Sequence, residues 1–159
     1  MKKQILKSLI VAILFSTSSV FAVADFNGRW VANSGKVSST MAGLGGDCTK
    51  VEIYVRQTET QLITDTYNAD CGLWSKKFSN KVLEIREGKV FEQHGDSLDE
   101  VGTISDTTLM TLTTSGVYQY AYNLKKTFDE VNGYGMQSYW GTKGSAGALV
   151  VEAVHKRVD

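Results

Sequence analysis

The chain of 159 residues contains no proline, only two cysteines and only two histidines, and its acidic and basic side chains balance at 17 each. Absence of proline excludes proline-rich linkers and cis-proline turns. With so few cysteines and histidines, the usual zinc sets have little material. Neither His94 nor His155 has H-E-x-x-H spacing, and the acidic run after His94 does not match a calcium loop. His94, beside Asp96, Asp99 and Glu100, is expected in a solvated acidic loop, and no metal site or cofactor is expected. Cys48 and Cys71 are too far apart for a C-x-x-C redox motif. The chain also lacks any segment with a convincing helical period.

What is present begins with a basic and apolar N-terminus. Lys2, Lys3 and Lys7 precede the apolar run Leu9 to Phe15, and Ala22-Val23-Ala24 supplies an A-x-A cleavage site before Asp25. Val20-Phe21-Ala22 is a second site of the same type. This pattern predicts a cleaved secretory signal over residues 1–24 and export to the periplasm or the medium. The apolar run is shorter than the ~20 residues that a spanning helix needs. Residues 25–159 then form a single domain. All 17 acidic residues lie there and three basic ones do not, leaving a net charge of −3. That sign argues against nucleic acid and against a polybasic membrane patch. Two cysteines in an exported chain predict a disulfide.

The segment Cys48 to Cys71 reads as one hairpin. Val51 to Arg56 and Leu62 to Tyr67 are rich in β-branched and aromatic residues, with Thr58-Glu59-Thr60-Gln61 between them. A two-residue loop at Glu59-Thr60 pairs positions whose numbers add to 119, which sets Cys48 opposite Cys71. A bulge would shift this register, because Thr-Glu-Thr-Gln is not a preferred hairpin turn.

Eight to ten short strands with frequent turn signals are expected. The clearest alternation is Val117 to Leu124, and Asn132-Gly133 is the strongest hairpin signal. Ser34 to Asp47 and Gly141 to Gly147 are glycine-rich and are expected as loops, the first alternatively as a short helix over the barrel mouth around Thr40-Met41-Ala42, and they are natural gates to an interior if they lie at its open end. The Gly43-Leu44-Gly45-Gly46 run lacks the Lys-Ser/Thr of a phosphate loop. The fold expected is all-β, an antiparallel up-and-down barrel, with a β-sandwich as the alternative.

Phe26-x-Gly28-x-Trp30 near the start and Arg157 after the last strand resemble the signature of the calycins, the lipocalins and fatty-acid-binding proteins. That resemblance implies a barrel whose closed end is plugged by Trp30, with Arg157 (or Lys156) packed over it and Gly28 and Trp30 opening the first strand.

Tyr118, Tyr120 and Tyr122 alternate on one strand face. If that face is inward, the rings and hydroxyls suit an amphipathic ligand, with Phe128 and Trp140 as co-liners. Phe91, Met110, Leu112 and Met136 are weaker candidates for the same wall. No catalytic set is visible. Ser145 is not in a G-x-S-x-G elbow, and Glu52, Glu84 and Glu152 are isolated. The expected function is non-enzymatic binding of a small apolar or amphipathic molecule inside the barrel. The alternative is a protein partner, for example as an inhibitor of a lysozyme-type cell-wall hydrolase, met through the His94–Glu100 loop. A filled interior would favour the partner and an empty one the small molecule.

Overall fold

The computed structural model describes residues 23–129 and 133–159, with nothing stated for the side chains of residues 129, 133 and 134. The expected export signal and the expected Asn132-Gly133 turn therefore lie at least partly outside the described residues. Thirteen strands are formed among them, all antiparallel where paired and all in one sheet. They are β1 (Gly28–Ala32), β2 (Gly35–Ser39), β3 (Gly46–Cys48), β4 (Lys50–Gln57), β5 (Gln61–Cys71), β6 (Trp74–Phe78) and β7 (Lys81–Arg86). β8 (Lys89–His94), β9 (Ser97–Ile104), β10 (Thr108–Ser115), β11 (Tyr118–Asp129), β12 (Gly133–Gly144) and β13 (Gly147–Arg157) follow.

Several short strands are halves of longer paths. β1 and β2 keep one register against β4 and β3, from Gly28↔Val55 through Ala32↔Val51 to Gly35↔Cys48. β6 and β7 likewise share one register along β5, with Tyr67↔Phe78 above and Thr64↔Lys81 below. Their break falls at Ser79-Asn80, where Asn80 adopts a left-handed φ of 54° that asparagine tolerates better than most residues. Sequential neighbours pair around the molecule, and β1 pairs with β13 (Trp30↔Arg157, Val31↔Lys156), so the sheet closes into a barrel-like ring. Closure pairs most of the edges that an open sheet of this size would expose, leaving β6 with one open edge because it pairs with β5 alone. A two-sheet sandwich is not formed.

The hairpin from Cys48 to Cys71 keeps the expected register next to its turn, with Gln57↔Leu62 and Val55↔Thr64. Between Tyr54 and Val55 the pairing slips by one residue, so Tyr54 faces Thr66. The extra residue is Asp65, whose carboxylate accepts from Arg56 Nε (2.5 Å) and Nη2 (2.7 Å). The disulfide Cys48–Cys71 forms across this shifted register with Cα atoms 3.7 Å apart, while Thr49 N donates to Asp70 O beside it. A bridge of this kind fits an oxidising compartment. No described helix is long and apolar enough to cross a membrane.

Two expected loops contain much strand. β2 and β3 occupy half of residues 34–47, because β2 pairs with β13 from Gly35↔Ala153 to Ser39↔Leu149 and β3 with β2. β12 runs to Gly144 and β13 restarts at Gly147, leaving Ser145-Ala146 as the turn. The same correction applies to His94–Glu100. Only Gly95-Asp96 turns, and β9 starts at Ser97, opposite His94.

Inward positions alternate along each path, as a ring requires. One end of the interior is filled. Trp30, Phe26, Ile53, Leu83, Leu109, Leu124, Met136 and His155 are all essentially inaccessible to solvent. Trp30 Nε1 donates to Phe26 O at 2.9 Å, and the Arg157 guanidinium lies 5.9 Å from the Trp30 ring centre. Gly28 sits here at φ +119°, and a Cβ on it would come within 2.7 Å of Arg157 Nε and Asp159 Oδ1. The left-handed backbone is what favours glycine here, while the Arg157 and Asp159 side chains would have to shift to admit a Cβ.

Candidate functional site

The opposite half of the ring is not filled. A cavity of about 360 Å³ lies between β6, β8, β10, β11 and β12. It owes its presence to a change in the inward residues. Below, β10 points Leu109 into the core; above it, the same face carries Thr111, Thr113 and Ser115. On β8 the inward series runs Val90, Glu92, His94, passing from aliphatic to charged over four residues. Short polar side chains leave volume that leucines would have occupied, and charged ones keep that volume wet.

The wall also has a slot. β7 pairs with β8 from Arg86↔Lys89 to Glu84↔Phe91. Above that point β8 keeps β9 on one side only, and β6 pairs with β5 alone. The cavity therefore reaches the surface between β6 and β8, where Phe78, Ser79, Lys81 and His94 line it.

Aromatic side chains form the apolar part. Phe78 stacks on Tyr67 with ring centres 4.7 Å apart, and Tyr122 stands edge-on to both at 5.6 and 6.2 Å. Trp140, almost fully buried, packs against Trp74 at 5.7 Å and carries Lys76 Nζ 4.8 Å from its ring centre. The Tyr122 hydroxyl shares a hydrogen bond of 3.1 Å with Thr64 Oγ1, and its burial pushes its pKa well above the usual phenol range. Burial does the same to Tyr67, whose hydroxyl has no partner among the described residues. Both phenols are neutral at any physiological pH.

The polar part centres on Glu92. Lys81 Nζ forms a close ion pair with its Oε1, Thr113 Oγ1 donates to its Oε2 at 3.0 Å, and His94 Nε2 lies 3.8 Å away. Glu92 and Lys81 are each about one-fifth exposed, so this charge pair belongs to the cavity wall rather than to open surface.

Of the five residues expected to bind ligand, Tyr120, Tyr122 and Trp140 line this cavity. Tyr118 does not. It is about half exposed at the rim, 6.3 Å from Tyr120. Phe128 is 64% exposed at the far end of β11, because β11 extends past the core into the β11–β12 hairpin. Met110 and Leu112 are also on the outside, alternating with inward Leu109 and Thr111. Met136 is buried in the filled half. Lys76, Phe78, Lys81, Glu92 and Thr113 were not anticipated. Period-two counting from Val90 would have found Glu92 and His94, and counting from Leu109 would have found Thr113. His94 was read as part of a solvated loop, yet it ends β8 with its side chain at the cavity.

A buried Ser–His pair lies elsewhere. Ser138 Oγ and His155 Nε2 are 2.7 Å apart, and neither residue is accessible. A nucleophile that no substrate can reach does no chemistry, so this pair is structural. Burial lowers the His155 pKa to about 4, which keeps the ring neutral. The described residues include no cluster of three or more metal-binding side chains.

No protein-family model matches the chain, and no curated protein matches it.

Proposed function

We propose that this is an exported, non-enzymatic binding protein that encloses one small amphipathic molecule in the upper half of its ring. The observation that carries this reading is the cavity itself. It joins an aromatic wall (Phe78, Tyr122, Trp140) to a polar one (Lys81–Glu92, Thr113) within one enclosure of about 360 Å³. That volume is at the lower end of the ~300–1,000 Å³ of small-molecule sites. Burial of ligand surface on the aromatic wall would supply roughly 25 cal/mol per Å², and the polar groups would set orientation. The Gly28-x-Trp30 opening and the Arg157 contact agree with a calycin-like design, plugged at one end and open at the other. An unfilled interior favours a small molecule over a protein partner such as a cell-wall hydrolase.

Native mass spectrometry of the protein purified from its own source tests this. The expected result is an added mass of a few hundred daltons (the range of drug-sized ligands) that is lost on denaturation. A bare protein mass, together with no uptake of added amphipathic probes, contradicts it.

A further inference from the structure

The charges at the cavity are not balanced where a ligand would sit. Glu92 is already satisfied by Lys81, Thr113 and the nearby His94. Lys76 is different. It is half-buried on β6, forms no ion pair among the described residues, and holds its ammonium over the face of Trp140. A ring face stabilises a cation but does not neutralise it. The −3 charge of residues 25–159 gives no long-range attraction for anions, so any preference for them must come from local contact.

From this arrangement, and resting on the binding reading above, we infer that the ligand is an amphipathic anion. Its apolar, preferably aromatic, body lies against Trp140 and Tyr122, and its single acidic group pairs with Lys76. Carboxylate, sulfonate and phosphate monoester share the required chemistry.

Two probes of similar shape separate charge from shape: anilinonaphthalene sulfonate, which is anionic, and N-phenylnaphthylamine, which is neutral. Fluorescence titration of the full mature protein should give tighter binding of the sulfonate. Lys76→Met should weaken the sulfonate by about tenfold, the size of a partly desolvated charge-assisted contact, and leave the neutral probe unchanged. Lys76 is an edge-strand residue with a solvent-reaching side chain, so its loss leaves the core intact. Thr113→Trp, which adds bulk inside the cavity, should abolish both. Equal affinities, or an equal effect of Lys76→Met on both probes, would overturn the anionic ligand and leave the binding reading standing. Binding of neither probe, or binding that survives Thr113→Trp, would overturn both. Titrations with benzoate, benzenesulfonate and phenyl phosphate then rank the acidic groups.

A separate observation bears on processing. Ala24 is buried, its N–H donates to Ser105 O at 2.7 Å, and its carbonyl accepts from Gln57 Nε2 at 2.7 Å. Val23 packs on the same core. Cleavage after Ala24 would discard both contacts and place a charged amine at Asp25, next to this core. If the chain is exported, we infer that its signal is removed after Ala22, so that the mature protein starts at Val23. Intact-mass measurement of the exported protein decides it. A mass starting at Val23 is expected; one starting at Asp25, or an uncut chain, overturns the inference.

Discussion

The two halves of the ring share strands but not contents. In the half around Trp30, inward positions are closed and almost all apolar, with the Ser138–His155 pair as the polar exception. In the half around Trp140, the same strands turn threonine, serine, lysine and glutamate inward, and a cavity remains. The contrast separates two roles within one sheet. The filled half supplies cohesion, and the unfilled half gives up some of it in exchange for accessible volume. Two tryptophans then mark the two halves, one as plug and one as wall.

The largest expected difference is in stability. Trp30→Ala should cost about 3–5 kcal/mol in urea or thermal unfolding, since a fully buried ring is lost from a packed site. Tyr120→Ala, at a half-buried cavity position, should cost about 1 kcal/mol or less and weaken probe binding instead. Similar losses at the two sites would dissolve the contrast.

Next in size is the staple at the unfilled end. Reduction of Cys48–Cys71, or replacement of both cysteines by serine, should lower stability by roughly 3 kcal/mol in the chain-entropy model. The probe site should loosen more than the Trp30 plug, which hydrogen exchange resolves by region. Uniform loosening would show that the two halves are not separable.

The filled half should also impose a pH dependence. His155 titrates near 4 when folded and near 6.5 when unfolded. Below 6.5 the unfolded chain binds a proton that the native ring refuses, so stability falls as pH drops from about 6.5 to 4. The loss is up to about 3 kcal/mol. His155→Gln should flatten that part of the profile, measured by denaturant midpoints across pH; an unchanged slope would mean that the carboxylates dominate.

Much of the ring was legible in the sequence, because its strands are short, alternating and punctuated by turns. The hairpin register next to Glu59-Thr60 follows from loop length alone. The slip at Asp65 does not, since a bulge depends on the twist of a closed sheet rather than on a local residue. β2 and β3 were hidden in glycine-rich sequence, and only the pairing of β2 with β13, and of β3 with β2, makes strands of them. Tyr120, Tyr122 and Trp140 were visible as candidate liners because aromatic alternation is easy to see. Lys76, Lys81 and Glu92 were not. A charged residue on a strand ordinarily faces water, and here they face an interior that only the gap between β6 and β8 keeps polar.

The most direct test follows the three tryptophan indole N–H signals by NMR while anilinonaphthalene sulfonate is added to the mature protein. The two-half account predicts that the Trp140 signal, and its neighbour Trp74, shift with saturation while Trp30 stays fixed. A Trp30 signal that moves as far as Trp140, or a Trp140 signal that never moves, would contradict it.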